Sequence, residues 1–220
     1  MELPTHLRGA STGVATLSRA ERAAHQRRRV VTKATPVFAK RGFQATTVDD
    51  LLAGANMGFG NFYSLFDGKE DCFLACLEDT VSGARTRMAE AASSGEDWAA
   101  RTYLGLRSLL AELLVSPLAA RLVLLESQSA GAEALLRYNM LIDEAVAWLS
   151  RGRPVPSDLP PSFEQTTIFG LAFYLQQVAL DPRSHEQATL LGETSSLLLE
   201  PLIGAERLAV LRPAAVASVG

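Results

Sequence analysis

Two cysteines and three histidines are all that this 220-residue sequence offers to disulfide or metal chemistry. Cys72 and Cys76 cannot make a disulfide framework. Four residues apart on a helix, they share one face, where buried thiols are the default reading and a redox sensor the alternative. His6, His25 and His185 lie too far apart to suggest a metal site. Long apolar runs are also lacking: the richest, LRSLLAELLVSPLAARLVLLE, is interrupted by Arg107, Glu112, Pro117 and Arg121. The first residues have no apolar signal-peptide core, so a soluble, cytoplasmic protein without a membrane partner is expected. Strand-like alternation is scarce, which argues against a sheet.

Nucleotide and catalytic signatures are missing as well. Gly58-Phe59-Gly60 has Tyr63 where a dinucleotide fingerprint needs its third glycine, and Gly68-Lys69 runs into Glu70 rather than Ser or Thr. There is no Gly-x-Ser-x-Gly and no evident carboxylate pair. Neither an enzyme nor a cofactor is expected.

Charge, by contrast, is present and unevenly placed. Residues 1–45 carry nine Lys/Arg (Arg8, Arg19, Arg22, Arg27, Arg28, Arg29, Lys33, Lys40 and Arg41) against Glu2 and Glu21. Residues 71–220 carry 11 Lys/Arg against 18 Asp/Glu, so a net charge of −3 conceals a basic head on an acidic body. A polyanion meeting the N-terminal end would be attracted.

The periodicity is helical nearly throughout. A first helix is expected over about Arg19–Arg41, burying Val30, Ala34, Val37 and Phe38, loosened at Pro36 and ended by Gly42. Thr47 and Asp50 approximate a capping box for a short helix over about Val48–Gly54. The turn GANM leads to a third helix at about Gly58–Ser64, and a fourth starts near Gly68. A longer helix bracing two short ones across a tight turn reads as a helix-turn-helix. Its second short helix must be slim to enter a major groove, which suits Gly58 and Gly60. Base contacts are then expected from residues 58–62. Phe59 could touch thymine methyls and Asn61 a base edge or phosphate, while Phe62 and Phe66 hold the motif to its core.

The stretch RRRVVTKATPVFAKRGFQATTVDDLLAGANMGFGNFYSLFDGKEDCF resembles the DNA-binding domain of the TetR (tetracycline-repressor-like) family of bacterial transcriptional regulators. The resemblance rests on VFAKRGF, TTVDDLLAGA and GNFYSLFDGKED, in that order, over residues 27–73. It implies phosphate contacts from Thr47, Tyr63 and Lys69, and an all-helical ligand-binding and dimerising domain behind the head. With Arg27 and Arg28 from the basic helix, these residues complete the expected DNA surface.

Five longer helices are expected beyond residue 94: Trp98–Val115, Pro117–Gln128, Ala132–Arg151, Pro161–Leu180 and Arg183–Leu202, with an irregular linker at 152–161. The last two are apolar around most of their circumference. Such helices lie either at the centre of a monomer or at a subunit interface, and they are expected to form a homodimer interface through Ile168, Leu171, Leu175, Leu190, Leu191, Leu197 and Leu198. Trp98, Tyr103, Leu106, Tyr138, Phe169 and Phe173 are candidates to line a ligand pocket. The expected organisation is all-α: a flexible basic arm (1–20), a three-helix helix-turn-helix domain (21–70), an effector-binding and dimerisation domain (71–205) and a tail (206–220). The expected function is a dimeric repressor, released from a pseudo-palindromic double-stranded operator by a small apolar or amphipathic ligand. Two alternatives stay open. One is a regulator controlled by a protein or by oxidation. The other, suggested by Pro36, Gly58 and Phe59, is a helical ligand-binding protein that has lost DNA binding.

Overall fold

A computed structural model describes residues 18–153, 159–182 and 185–217, with side chains to 212. Beyond Ser18, Arg19 and Ala20, which open the first helix, the expected arm lies outside the described residues. Ten α-helices are present among the described residues: α1 Arg19–Arg41, α2 Val48–Ala55, α3 Phe59–Tyr63, α4 Lys69–Ser93 and α5 Trp98–Val115, followed by α6 Pro117–Leu124, α7 Ala132–Ser150, α8 Phe163–Leu180, α9 Gln187–Ile203 and α10 Ala205–Ala217. A 3₁₀ turn, Glu126–Gln128, follows α6, so the expected Pro117–Gln128 helix tightens over its last residues.

Local chemistry explains the boundaries of the head. The Ser18 hydroxyl caps α1 reciprocally with Glu21, and Thr47 does the same for α2 with Asp50. Gly42 closes α1 at φ 79°, a region that favours glycine. A Cβ there would also stand 3.2 Å from the Glu126 carboxylate. Helix α1 continues through Pro36 without a break.

Two cores result. The first joins α1–α3, the start of α4, and Leu122, Ala130 and Ala134 from the body. Its centre is aromatic: Phe73 meets Phe38 and Phe43 edge-on, each with ring centroids 5.2 Å apart, and Phe62 packs on Phe66 at 5.3 Å. The second core lies among α5 and α7–α10. Leu208 and Leu211 of α10 are buried in it, so residues from 206 onward are not simply a tail. An isolated reading of AERLAVLR cannot tell a frayed helix from a docked one. Leu135 is exposed, while Tyr138, Ile142 and Leu149 carry the buried face of α7.

Head and body are joined by hydrogen bonds as well as by packing. The Phe43 N–H donates to Glu126 Oε2 at 2.8 Å, Arg121 Nε donates to the Ala39 carbonyl at 3.2 Å, and Gln44 Nε2 donates to the Ser129 carbonyl at 2.7 Å. No single helix among the described residues is long and apolar enough to cross a membrane.

Cys72 and Cys76 are both fully buried. The Cys76 thiol donates to the Val31 carbonyl at 3.6 Å, and the Cys76 contact together with burial pushes the Cys72 thiol far above its ordinary range. Thiolates are the reactive species, so neither cysteine should react with Ellman's reagent in the native state. Both should react across the urea-unfolding transition; rapid labelling without denaturant would contradict this packing.

Candidate nucleic-acid interface

Helix α2 ends at Asn56, whose backbone is left-handed (φ 51°, ψ 58°), and the chain turns through Met57 to Gly58, which caps α3. At 100° per residue, the five residues of α3 divide sharply. Phe62 points into the core and is fully buried. Gly60 lies nearly opposite, at the outermost line of the helix. Phe59 and Tyr63 share one flank and Asn61 takes the other.

That distribution defines the exposed surface. Apart from the flanking residues and the helix's own backbone, no heavy atom lies within 4 Å of where a Cβ would stand on Gly58 or Gly60. Phe59 is 53% exposed and Tyr63 54% exposed, and their rings stack on each other at 6.4 Å with 12° between planes. Phe59 thus does not fold back onto its own domain. Asn61 borders a groove of about 250 Å³ shared with Gln26, Arg29, Lys33 and Asn56. Arg29 and Lys33 belong to the basic head read from the sequence but not to the contacts expected there, although their four-residue spacing places them on one face of α1.

Several residues expected to contact phosphate also hold the head together. The Thr47 hydroxyl donates to Asp50 Oδ2 at 2.7 Å and accepts the Asp50 N–H at 3.2 Å. Hydrogen bonds from the Thr47 backbone and then its hydroxyl hold the Asp50 carboxyl below its ordinary range. Arg41 pairs with the same carboxylate at 3.0 Å. Lys69 Nζ donates to the Phe43 carbonyl at 2.9 Å and sits 4.3 Å above the Phe43 ring. Arg27 pairs with Asp71 at 3.2 Å and lies 4.6 Å over Phe66. Arg28 projects from the exposed side of α1.

The body revises two expectations. Trp98, Tyr103, Leu106 and Tyr138 are buried, with Trp98 Nε1 donating to the Leu149 carbonyl at 3.2 Å and Gln176 Nε2 donating to the Tyr138 hydroxyl at 2.9 Å. Phe169 and Phe173 are instead 49% and 64% exposed, so they line no internal pocket. Conversely, Ile168, Leu171, Leu175, Leu190 and Leu198, expected at a dimer interface, are buried within the subunit, and Leu191 is half-buried. Only Leu197 of that set is well exposed. Helix α8 is apolar on two faces, and its sequence cannot say which one its own subunit covers. Phe169, Phe173 and Leu180 fall within about 40° of one another on the uncovered face.

A cleft of about 310 Å³ lies between α4, α6 and α7. Leu77, Val81, Val123 and Leu141 give it apolar walls, and Tyr138 is its one residue foreseen from sequence. Arg85–Glu144 and Arg137–Glu78 ion pairs cross from α4 to α7 at its rim. The cleft unites helices distant in sequence, which no local pattern could reveal. Among the described residues no group of His, Cys, Asp and Glu is arranged to hold a metal ion.

Comparison with known proteins agrees with this geometry. Residues 30–76 match the family model described as bacterial regulatory proteins, tetR family. No curated relative matches the sequence. Among solved structures, the fatty acid degradation regulator FadR from Bacillus halodurans superimposes with a TM-score of 0.67 at 15% identity, covering 78% of this chain and 97% of that one. FadR from Bacillus subtilis, solved in complex with stearoyl-CoA, gives 0.67 at 18% identity, covering 80% and 98%. A TetR-like transcriptional regulator from Rhodococcus sp. RHA1 gives 0.64 at 20% identity, covering 86% and 100%. At these identities the likeness is one of fold, extending over head and body together. The match to the family of bacterial regulatory proteins described as tetR thus lies in the N-terminal helix-turn-helix segment, residues 30–76.

Proposed function

We propose that this protein is a homodimeric operator-binding repressor released by an amphipathic ligand. The observation that carries the reading is the face of α3: a bare Gly60 crest between an exposed aromatic pair and Asn61, beside the basic α1. A helix with a glycine crest can bring its backbone close to base edges, and flanking cations supply the sequence-independent attraction of the phosphates. Tyr63 and Arg28 are the phosphate donors best placed to act, because their polar ends are not committed to the head's own core. Thr47, Lys69 and Arg27 combine any phosphate contact with a structural role.

The exposed Phe169, Phe173, Leu180 and Leu197 support dimerisation through the outer faces of α8 and α9, in place of the buried residues first expected. Two heads so paired would meet half-sites about one helical turn apart, roughly 34–36 Å. The α4–α6–α7 cleft, with apolar walls and a charged rim, suits an amphipathic effector, and its volume is at the lower end of ligand sites. Stearoyl-CoA in the Bacillus subtilis regulator is a ligand of that broad kind. Control by thiol oxidation is disfavoured by the burial of both cysteines.

Duplexes selected from a random pool should bind with an affinity that falls about tenfold or more between 50 and 200 mM salt. Tyr63→Phe and Arg28→Ala should each weaken every bound sequence alike, Tyr63→Phe by roughly tenfold for one charge-assisted hydrogen bond. A salt-independent gel shift would overturn the reading. Gly60→Ala should separate fold from function: it should stabilise α3 by about 0.5–1 kcal/mol yet weaken the gel shift, because its methyl stands on the crest. Phe173→Glu should convert a dimer to a monomer by light scattering at micromolar concentration; a monomeric wild type would refute the dimer.

A further inference from the structure

The aromatic pair on α3 has a more specific consequence, which rests on the DNA-binding reading above. Phe59 has no seat in its own domain: the head core is filled by Phe38, Phe43, Phe62, Phe66 and Phe73. Its aromatic neighbour is Tyr63, itself half exposed, and the near-parallel stack of the two rings fixes where Phe59 points. The open space around Gly58 and Gly60 leaves that ring unshielded on the side facing away from the core.

A phenyl ring in a major groove neither donates nor accepts a conventional hydrogen bond. Pressed against guanine O6 and N7, adenine N7 and N6, or cytosine N4, it would strip water from polar groups and leave them unpaired. Thymine alone presents a C5-methyl there, an apolar partner for a ring. We propose that Phe59, held by Tyr63, is a specificity-determining residue that reads a thymine C5-methyl in each half-site. The ring selects thymine by apolar contact and rejects the other bases by desolvation. Asn61, on the opposite flank of α3, is left as the hydrogen-bonding reader.

The test uses the full-length protein and duplexes recovered by selection from a random pool. Each thymine of a recovered duplex is replaced in turn by deoxyuridine, which removes the methyl and leaves every hydrogen-bonding group in place. One thymine per half-site should show about a fourfold loss of affinity on replacement, the worth of one buried methyl-sized group. In Phe59→Ala, whose fold is checked by its circular dichroism melt, the ratio at that position should fall to one. Salt-dependent binding by the wild type with no thymine–uracil difference at any position would overturn the role of Phe59 while leaving the DNA-binding reading intact. So would a ratio unchanged in Phe59→Ala. Failure of the wild type to recover any duplex would overturn both.

Discussion

The residue on which the architecture turns is Phe43, just after the end of α1. Its N–H is taken by Glu126 of the body, its carbonyl by Lys69 at the start of α4, and its ring by the Lys69 ammonium on one side and Phe38 and Phe73 on others. One residue thus ties together the helix-turn-helix, α4 and the turn after α6. Gly42 eases the joint: its φ of 79° favours glycine, and a Cβ there would stand 3.2 Å from the Glu126 carboxylate oxygen that accepts the Phe43 N–H. A half-buried charge-assisted hydrogen bond of this kind is costly to leave half made, since removing Glu126 strands a backbone donor.

Sequence alone made the head legible because its helix ends are chemically marked. Thr47 with Asp50 and Gly42 placed the ends of α1 and α2 within a residue, and α1 runs over the range expected from its periodicity. The body was legible as helices but not as faces. In α8 both Ile168 and Phe169 belong to apolar stripes, and only packing against α6, α7 and α9 decides that the first goes inside. For the same reason Leu208 and Leu211 read as a tail until the second core showed what they complete. The cleft depended wholly on tertiary structure, since Val81 and Leu141 meet only after folding.

Electrostatics divides the basic head into two populations. Arg27 and Arg41 are ion-paired with Asp71 and Asp50, and Lys69 is engaged with Phe43. Arg28, Arg29, Lys33 and Lys40 remain on the exposed side of α1. Counting cations along the chain therefore overstates what a polyanion meets. The pairs contribute little stability on an exposed surface, but they orient α2 and α4 against α1 and so set the pose of α3.

Helix α4 has 25 residues, which at 1.5 Å per residue makes a rod of about 37 Å. Its first turn carries Lys69 and supports the helix-turn-helix head, while Val81 and Arg85, about 18–24 Å along the axis from Lys69, line the cleft. Simple trigonometry on that rod gives a displacement of about 3–4 Å at Lys69 for a 10° tilt pivoting at the cleft. That is close to the rise of one base pair, so in the proposed dimer a small rotation at one end would take the two heads out of step with the groove.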